Sequence, residues 1–223
     1  MNKKQPHIFF GNKNTAIDPS NIRHKPFQFK GQPTILQHQT HSALGQEIKL
    51  NNLDQPSLSI DGDYLITQEK NLDIGVLTAD CLPIIFYDNK SEACGIAHAG
   101  WKGTVQEVAP KTILHMQQNF KTKIDNLQIW FGPAAQICCY EVQKDFIQSL
   151  PHPEIALKTT QERGGKYYFD VSGYNVLLLQ AIGVQKKQID LSNNLCTICN
   201  EEFCSYRRDK GSPIRQISLV SLY

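Results

Sequence analysis

The apolar residues of the chain fall into short runs that have the length expected of buried strands. Three of these runs, at residues 74–78, 83–87 and 93–97, follow one another in the middle of the sequence, and polar residues stand at their ends. The central three runs therefore predict the core of a β-sheet. We predict further strands at residues 8–10, 34–39, 64–67, 127–131, 167–169 and 216–222.

The segment that follows the central strands has the apolar spacing of a helix. Apolar side chains recur at helical intervals between residues 105 and 120, and Thr104 with Glu107 has the form of a capping box. Pro110 conflicts with an uninterrupted helix. It marks either a kink or the first turn of a helix that starts later.

Further helices are predicted in the second half of the chain. Residues 141–150 have the pattern of a short helix, and residues 151–166 have that of a loop. Asp170 or Ser172 is expected to cap another helix, which stops at Gly183. Helices and strands thus alternate along much of the sequence.

Composition and charge narrow the class of protein. A chain of 223 residues with 40% hydrophobic residues can bury a full core, so we expect one domain over residues 1–223. Strands that alternate with helices, together with hairpin-like pairs, predict an α/β fold, a sandwich with a mixed β-sheet. The formal charge of +2 predicts no nucleic-acid surface, and no apolar run is long enough to span a membrane.

The number of cysteines bears on the redox state. Seven is an odd number, and the N-terminal residues lack the apolar stretch of an export signal. We therefore expect reduced thiols and a cytoplasmic protein. Each free thiol is then a candidate ligand or nucleophile.

Polar residues with reactive side chains follow the central strands. Asp80 and Cys81 come after the first strand, and His98 comes after the third, in a glycine-rich turn. A catalytic zinc commonly has three protein ligands and one open position. His41 would complete such a set. Strand alternation points His38 and His41 to opposite faces, so we expect at most one of them to face a given site. The sequence thus offers His41, Cys81 and His98 as metal ligands.

The same residues have other interpretations. Cys81 could be a small buried apolar residue, and His98 could be a hydrogen-bonded turn residue. The pair could also be the thiolate nucleophile and the base of an acyl-transfer enzyme or amide hydrolase. These alternatives stay open on the residues alone.

A competing metal site would use cysteines nearer the C-terminus. Cys196 and Cys199 form a C-x-x-C pair, Cys204 follows, and Cys138 with Cys139 could complete the set. Structural zinc usually takes four ligands at tighter spacing than this. We therefore predict that Cys196, Cys199 and Cys204 do not form a structural metal site.

Two adjacent arginines suggest an anion site. Arg207 and Arg208, next to Tyr206, suit a phosphate or carboxylate, because guanidinium groups match such oxyanions. A surface ion pair with Asp209 is an equal alternative. The common nucleotide-loop, zinc-protease and serine-hydrolase motifs are absent from the sequence.

A series of motifs resembles that of the laccase-domain (YfiH-type) family. The order and spacing match from about residue 35 to the end of the chain. The resemblance implies an α/β fold with a mixed sheet and a zinc held by His41, Cys81 and His98. The motifs are Gln39-Thr40-His41, Asp61-Gly62-Asp63-Tyr64-Leu65-Ile66-Thr67, Thr78-Ala79-Asp80-Cys81-Leu82-Pro83, His98-Ala99-Gly100-Trp101-Lys102-Gly103, Gly132-Pro133-Ala134, Cys138-Cys139-Tyr140-Glu141-Val142 and Ser205-Tyr206-Arg207-Arg208-Asp209.

The activity that the resemblance implies is on purine nucleosides. It comprises phosphorolysis of adenosine, inosine, guanosine and methylthioadenosine, with phosphate as the second substrate, and deamination of adenosine. Asp80 or a nearby carboxylate is expected to move protons. Arg23 is expected to orient phosphate in place of a family arginine, because residues 11–32 are too short for the family's usual N-terminal pocket segments.

Three alternatives accompany this expectation. Older naming of the family invokes oxidation of polyphenols by copper, which makes copper the alternative metal. A Cys81 hydrolase is the second alternative. The third is a nucleoside-binding protein whose catalysis is weakened or lost with the short N-terminal segment. A homodimer stays open as the assembly.

Overall fold

The structure is a computed structural model that describes residues 5–23, 26–52 and 57–223. Its strands are β1 (His7–Phe10), β2 (Phe27–Phe29), β3 (Gln32–Leu36), β4 (Gly45–Glu47), β5 (Tyr64–Thr67), β6 (Asp73–Thr78), β7 (Leu82–Asp88), β8 (Ala93–Ala99), β9 (Leu127–Phe131), β10 (Glu141–Val142), β11 (Thr160–Arg163), β12 (Lys166–Phe169), β13 (Ile189–Asp190) and β14 (Gln216–Ser221).

The α-helices are short apart from two. Among the described residues, no helix is both long and apolar enough to cross a membrane. The helices are α1 (Pro19–Ile22), α2 (Trp101–Val105), α3 (Val108–Phe120), α4 (Lys144–Gln148), α5 (Pro153–Thr159) and α6 (Val171–Ala181).

The strands form two mixed sheets and one small antiparallel sheet. The five-stranded sheet has the order β1-β14-β6-β3-β2, in which only β3 and β6 are parallel. The six-stranded sheet has the order β13-β9-β7-β8-β5-β4, with parallel pairs at both edges. The third sheet joins β10, β12 and β11. The predicted α/β fold is confirmed, and its mixed sheet is in fact two mixed sheets packed face to face.

Alternation along the central strands places the six-stranded sheet between two apolar layers. In β7, Leu82, Ile84 and Phe86 pack with α3 and α6, while Ile85 and Tyr87 pack toward the five-stranded sheet. Successive side chains of a strand point to opposite faces, so a strand that is apolar throughout can be buried on both. This burial explains why the central runs are apolar without a polar alternation.

Most strand predictions are confirmed. β6, β7 and β8 contain the three predicted central runs, and the predictions at residues 64–67 and 127–131 coincide with β5 and β9. The strand predicted at residues 34–39 instead ends at Leu36. The chain leaves the sheet there and leads to His38 and His41.

The predicted capping box is wrong. Thr104 lies inside α2, which begins at Trp101. Glu107 has a left-handed backbone with φ of 61° and separates α2 from α3. Pro110 lies in the first turn of α3, the second of the two alternatives, where its missing N–H costs no hydrogen bond.

The segment from residue 141 to 170 holds more regular structure than predicted. Residues 141–150 form β10 and then α4 in place of one helix. Residues 151–166, predicted as a loop, contain α5 and β11, which pairs with β12. Asp170, and not Ser172, caps α6, because its carboxylate accepts a hydrogen bond from the Gly173 N–H at 2.8 Å.

Candidate active site

Strand pairing brings the candidate residues to one edge of the two sheets. β3 and β6 run parallel, so residues 37–41 and 79–81 leave their strands at the same edge. β8 is antiparallel to β5 and to β7, so the end of β8 at His98 lies beside the starts of both neighbours. Those starts carry Asp63 and Cys81. The topology alone therefore gathers residues that are far apart in sequence.

The buried carboxylate of Asp63 holds the histidines in place. It accepts backbone hydrogen bonds from Thr40 at 3.2 Å, His41 at 3.0 Å and Ser42 at 2.6 Å. The hydroxyls of Thr40 and Ser42 also donate to it, at 3.2 and 2.7 Å. Its Oδ1 lies 2.8 Å from Nδ1 of the buried His98. One side chain thus fixes both the loop of His41 and the ring of His98.

These contacts keep Asp63 ionised. Burial opposes the charge, but the hydrogen bonds and charge of His98 and the hydrogen bonds of Ser42 hold the pKa of Asp63 well below its usual range. Because Asp63 occupies Nδ1 of His98, the Nε2 atom of that ring is left as the donor to a metal.

Cys81 lies beside the two imidazoles, whose ring centres are 5.0 Å apart. One ligand atom from each of His41, Cys81 and His98 lies within 4.8 Å of the other two. Burial raises the pKa of Cys81, but the charge of His98 and hydrogen bonds from both histidines outweigh it and lower the pKa to about 6. Burial lowers the pKa of His98, whereas the Cys81 thiolate and Asp63 raise it to about 9.

The donor set fits a transition metal. Two imidazole nitrogens and one thiolate are a three-ligand set that leaves a fourth position open. The thiolate is already favoured, and His98 has the carboxylate partner that metal-bound histidines usually have. The residues present could therefore hold a metal ion.

Gly100 lets the backbone pass close to this cluster. A Cβ atom at this position would lie 2.9 Å from Sγ of Cys81 and 3.3 Å from Cδ2 of His41. Both distances are shorter than ordinary van der Waals contact. A side chain at residue 100 would therefore displace two of the three candidate ligands.

The cluster opens into a cavity of about 910 Å³, and about half of its lining residues are basic or aromatic. Among the described residues that line it, Asp80 is the one carboxylate. Such a surface suits an anion bound beside an aromatic or heterocyclic ring. Besides His41 and His98, the basic and aromatic lining residues are Arg23, His38, Trp101, Tyr140, Tyr206, Arg207, Lys210 and Arg215.

Asp80 lines the cavity, and both of its carboxylate oxygens accept hydrogen bonds from the protein. Its Oδ1 accepts a hydrogen bond from the Thr197 hydroxyl at 2.7 Å, and its Oδ2 accepts one from the Arg207 N–H at 2.8 Å. An oxygen with one donor can still accept a second hydrogen bond, so these contacts orient the Asp80 carboxylate without using all of its acceptor sites. Asp80 thus holds Thr197 and the Arg207 backbone in position, and its expected role in proton transfer stays a prediction.

The arginines predicted to bind substrate have different surroundings. Arg207 lines the cavity, lies over the Tyr140 ring at 4.9 Å and donates to the Glu141 carbonyl. Arg208 does not line the cavity. Its guanidinium donates to the Asp209 carboxylate and to four backbone carbonyls, those of residues 197, 198, 200 and 203. The prediction that Arg208 binds substrate is therefore corrected, because its guanidinium holds together the loop in which it lies.

Tyr206 and Arg23 both line the cavity. Tyr206 is exposed at the cavity, with the Arg215 guanidinium 5.4 Å from the centre of its ring. Arg23 follows α1 and lines the same cavity from the N-terminal part of the chain. Among the described residues, no hydrogen-bond or ion-pair partner of the Arg23 side chain is found.

His38 is outside the metal-ligand group. It makes a surface pair with Asp61 at 2.8 Å. The second candidate set of cysteines is partly assembled, because Cys138, Cys139, Cys196 and Cys199 form a group. Cys204 is buried outside that group, and its N–H donates to the Gln216 side chain.

Several residues of the site were not predicted. Asp63 appeared only as part of a turn, although an aspartate directly before an apolar strand is a recognisable candidate for a buried carboxylate. Lys210 and Arg215 carried no local signal, because their role depends on how the C-terminal loop folds back over the cavity.

A family model described as multi-copper polyphenol oxidoreductase laccase matches residues 16–223 of the chain. The matched region contains the three candidate ligands, His41, Cys81 and His98, and every described basic residue that lines the cavity. The family resemblance predicted from the motifs is thereby confirmed.

Two known proteins show the extent of the similarity. The chain is 31% identical over 215 residues to a purine nucleoside phosphorylase of Clostridium acetobutylicum. The aligned region covers 94% of this chain and 85% of that protein. It is 39% identical over 176 residues to a purine nucleoside phosphorylase of Aquifex aeolicus, covering 79% and 78% of the two chains.

Solved structures have the same fold. YlmD from Geobacillus stearothermophilus superposes with a TM-score of 0.76 at 29% identity, over 85% of this chain and 73% of that one. The hypothetical protein YfiH of Bacillus licheniformis gives a TM-score of 0.75 at 30% identity, over 85% and 74%. The α/β fold implied by the resemblance is therefore confirmed.

A substitution of Asp63 tests the role of its carboxylate. Asp63→Asn removes the charge and one acceptor, so we expect bound metal to be lost and the free energy of unfolding to fall by about 3 kcal/mol, as when one partner of a buried pair is removed. Elemental analysis and chemical denaturation measure the two effects. The matched control is Asp61→Asn, two residues away, whose surface pair with His38 should matter little. Wild-type metal content in Asp63→Asn would contradict this role.

Proposed function

The chain belongs to the family described as multi-copper polyphenol oxidoreductase laccase, and from that membership and the form of its cavity we propose that it is a purine nucleoside phosphorylase. It cleaves adenosine, inosine, guanosine or methylthioadenosine with inorganic phosphate and releases the purine and a sugar 1-phosphate. The observation that carries the proposal is the charge of the cavity. Basic side chains from both ends of the chain line the same cavity as the ligand triplet: Arg23, Arg207, Lys210 and Arg215.

Phosphorolysis requires that a purine, a ribose and a phosphate be held together. A cavity of about 910 Å³ has room for these groups. The rings of Trp101, Tyr140 and Tyr206 offer faces against which a purine can stack. Holding the reactants in line supplies much of the rate enhancement in such a transfer.

Arg23 is the residue best suited to bind phosphate. Arg207 and Arg215 donate N–H groups to backbone carbonyls, whereas the described residues contain no partner of Arg23. In the reaction, a phosphate oxygen attacks C1′ of the ribose while the bond from C1′ to the purine nitrogen breaks. The Arg23 guanidinium binds the attacking phosphate, and the cations of the cavity stabilise the negative charge of the phosphate and of the leaving purine.

His41, Cys81 and His98 would hold a zinc ion. When bound, zinc supplies a Lewis acid at this end of the cavity. Asp63 keeps the His98 ring in one orientation, and Gly100 keeps space for the Cys81 thiolate. Zinc takes such mixed nitrogen and sulfur sets readily.

Copper is the alternative metal, because the same donors also bind it. A copper site built for electron transfer commonly adds a methionine to two histidines and a cysteine. Met116 is buried in the apolar layer between the six-stranded sheet and the helices, and Met1 lies outside the described residues. Only one of the two metal-capable groups in the described residues contains histidine. These observations favour zinc over a multi-copper oxidase centre.

Deamination of adenosine is a second activity of the proposed site. Enzymes that deaminate nucleobases use zinc on histidine and cysteine ligands, and the donor set here is of that type. The fourth position of such a site takes a water molecule. We assign this activity to the same cavity as phosphorolysis, so that one substitution should remove both.

A Cys81 hydrolase is the second candidate function. The observation that favours it is the chain of contacts from Asp63 to His98 to Cys81, which orders a carboxylate, a base and a thiolate. His41 also hydrogen-bonds the thiol, which suits a ligand set better than a nucleophile with one base. Inhibition by a metal chelator, reversed by zinc, supports the metal enzyme. Activity that survives chelation and is lost on alkylation supports the hydrolase.

Product analysis tests the proposed reaction. We expect protein incubated with inosine to release hypoxanthine only when phosphate is present, and protein incubated with adenosine to release adenine and some inosine. Chromatography separates these products. Cys81→Ala should have neither activity, because it loses a ligand, and Cys94→Ala is the control for a buried cysteine away from the cavity.

The same assay separates the remaining alternatives. Base release that does not require phosphate would contradict phosphorolysis. If no product forms but nucleosides raise the melting temperature, the chain is a nucleoside-binding protein. Oxidation of a polyphenol by copper-loaded protein, without turnover of any nucleoside, would favour the oxidase.

Substitution of Arg23 tests the phosphate site. Arg23→Gln should raise KM for phosphate by about tenfold, the factor that corresponds to 1.4 kcal/mol, with a smaller effect on KM for the nucleoside. Initial rates over a range of phosphate concentrations give both constants. Lys158→Gln removes the same charge from α5, outside the cavity, and should have no effect. An unchanged KM for phosphate in Arg23→Gln would remove this residue from the site.

A further inference from the structure

Four cysteines form a second cluster, outside the cavity. The Sγ atoms of Cys138, Cys139, Cys196 and Cys199 all lie within 4.8 Å of one another. The first two are on the loop between β9 and β10, and the other two are on the loop between β13 and β14. Cysteines from two distant loops converge on one point, a pattern that a single ion would explain.

Backbone contacts hold the two loops together at this point. Ala134 pairs with Cys196 in a parallel bridge. The N–H of Ala134 donates to the Leu195 carbonyl, and the N–H of Thr197 donates to the Ala134 carbonyl, each at 3.0 Å. The backbone therefore holds the two cysteine-bearing loops side by side, and the approach of the four thiols does not come only from the rotamers chosen for exposed side chains.

The distances match a tetrahedral ion better than a disulfide. The Sγ atoms of Cys138 and Cys199 are 3.9 Å apart. A disulfide needs about 2.05 Å. Around a zinc ion with Zn–S bonds of about 2.3 Å, the edge of the sulfur tetrahedron is ~3.8 Å. We propose that Cys138, Cys139, Cys196 and Cys199 bind one structural zinc ion.

The surroundings of Cys196 support a bound thiolate. Its Sγ accepts backbone hydrogen bonds from Cys199 and from Gln136. N–H groups that point at a sulfur stabilise its negative charge and orient it as a ligand. The Arg163 guanidinium holds the other loop by donating to the carbonyls of Ile137 and Cys138, at 2.6 and 3.2 Å.

The chemistry of the donors selects the ion. Four thiolates at tetrahedral spacing are typical of zinc or of iron, and oxygen-preferring cations such as magnesium do not take them. In a [4Fe–4S] cluster each thiolate binds a different iron, and in a [2Fe–2S] cluster the four thiolates are divided between two irons, so the four sulfurs are more widely spread than they are around one ion. The spacing here is that of a single ion.

The site would fix one wall of the cavity. Tyr140 directly follows Cys139 and lines the cavity, and the next residue accepts the hydrogen bond of Arg207. Thr197, within the Cys196 turn, donates to the Asp80 carboxylate beside Cys81. The zinc thus joins the two loops that position Tyr140 and Asp80, and this role does not depend on which reaction the cavity performs.

Metal counting in a background that lacks the first site tests the proposal. Cys81→Ala protein, purified under reducing conditions without added metal, should contain one zinc per chain by elemental analysis. Adding Cys196→Ser and Cys199→Ser should remove it. The control, Cys81→Ala with Cys204→Ala, changes a cysteine outside the cluster and should keep the zinc. The site is supported if the variant with Cys81→Ala, Cys196→Ser and Cys199→Ser loses zinc while the other two proteins keep it. A Cys81→Ala protein without metal would overturn the proposal.

A spectroscopic measurement guards against variants that fail to fold. Cys81→Ala protein loaded with Co²⁺ should show the intense sulfur-to-metal charge-transfer absorption of four thiolates, and zinc should displace the cobalt and abolish the bands. Thiol counting should then find Cys138 and Cys199, both exposed, slow to react until a chelator is added. Iron in the purified protein, or a Cys138–Cys199 disulfide, would overturn the proposal.

Discussion

The site depends on one buried negative charge. Asp63 is completely buried, and an unpartnered carboxylate in that position would be costly. Six donors within 3.2 Å compensate for the burial, three from the backbone, two from hydroxyls and one from His98. Because the same carboxylate binds the loop of His41 and the ring of His98, the two histidines are held relative to each other. Cys81 then needs only the pairing of β7 with β8 to join them.

The opposite wall of the cavity is organised by polar contacts between loops. Asp80 links Thr197 to the backbone of Arg207, and Arg207 in turn contacts Tyr140 and Glu141. These loops carry no continuous sheet of their own, so their mutual position depends on a small number of bonds. The proposed zinc ion at the four cysteines supplies a strong link at the place where the loops cross. The ligand triplet is thus held by a sheet edge and a buried carboxylate, and the substrate wall by loop-to-loop contacts.

The sequence predicted the strands well because their apolar runs are buried on both faces. Two predictions were wrong: the loop at residues 151–166 and the capping box that begins at Thr104. The left-handed backbone of Glu107 is invisible in the apolar pattern, and the short α5 and β11 have weak local signals. His41, Cys81 and His98 were identified by residue type and by family resemblance. Asp63 could not be placed in the same way, because its contacts depend on strand register. The four clustered cysteines were named from the sequence together with Cys204, and the prediction that Cys196, Cys199 and Cys204 form no structural metal site is the opposite of the proposal made here for Cys196 and Cys199. The bridge between the two distant loops that gathers the four thiols left no signal in the sequence.

The central claim is that Asp63 assembles a metal site from His41, Cys81 and His98. Anomalous X-ray diffraction from crystals of the purified protein, measured on either side of the zinc absorption edge, tests it most directly. The account predicts an edge-dependent peak within bonding distance of Cys81 Sγ, His98 Nε2 and a ring nitrogen of His41. A peak beside His38, or no peak at the triplet in crystals that show zinc at the four cysteines, would contradict it.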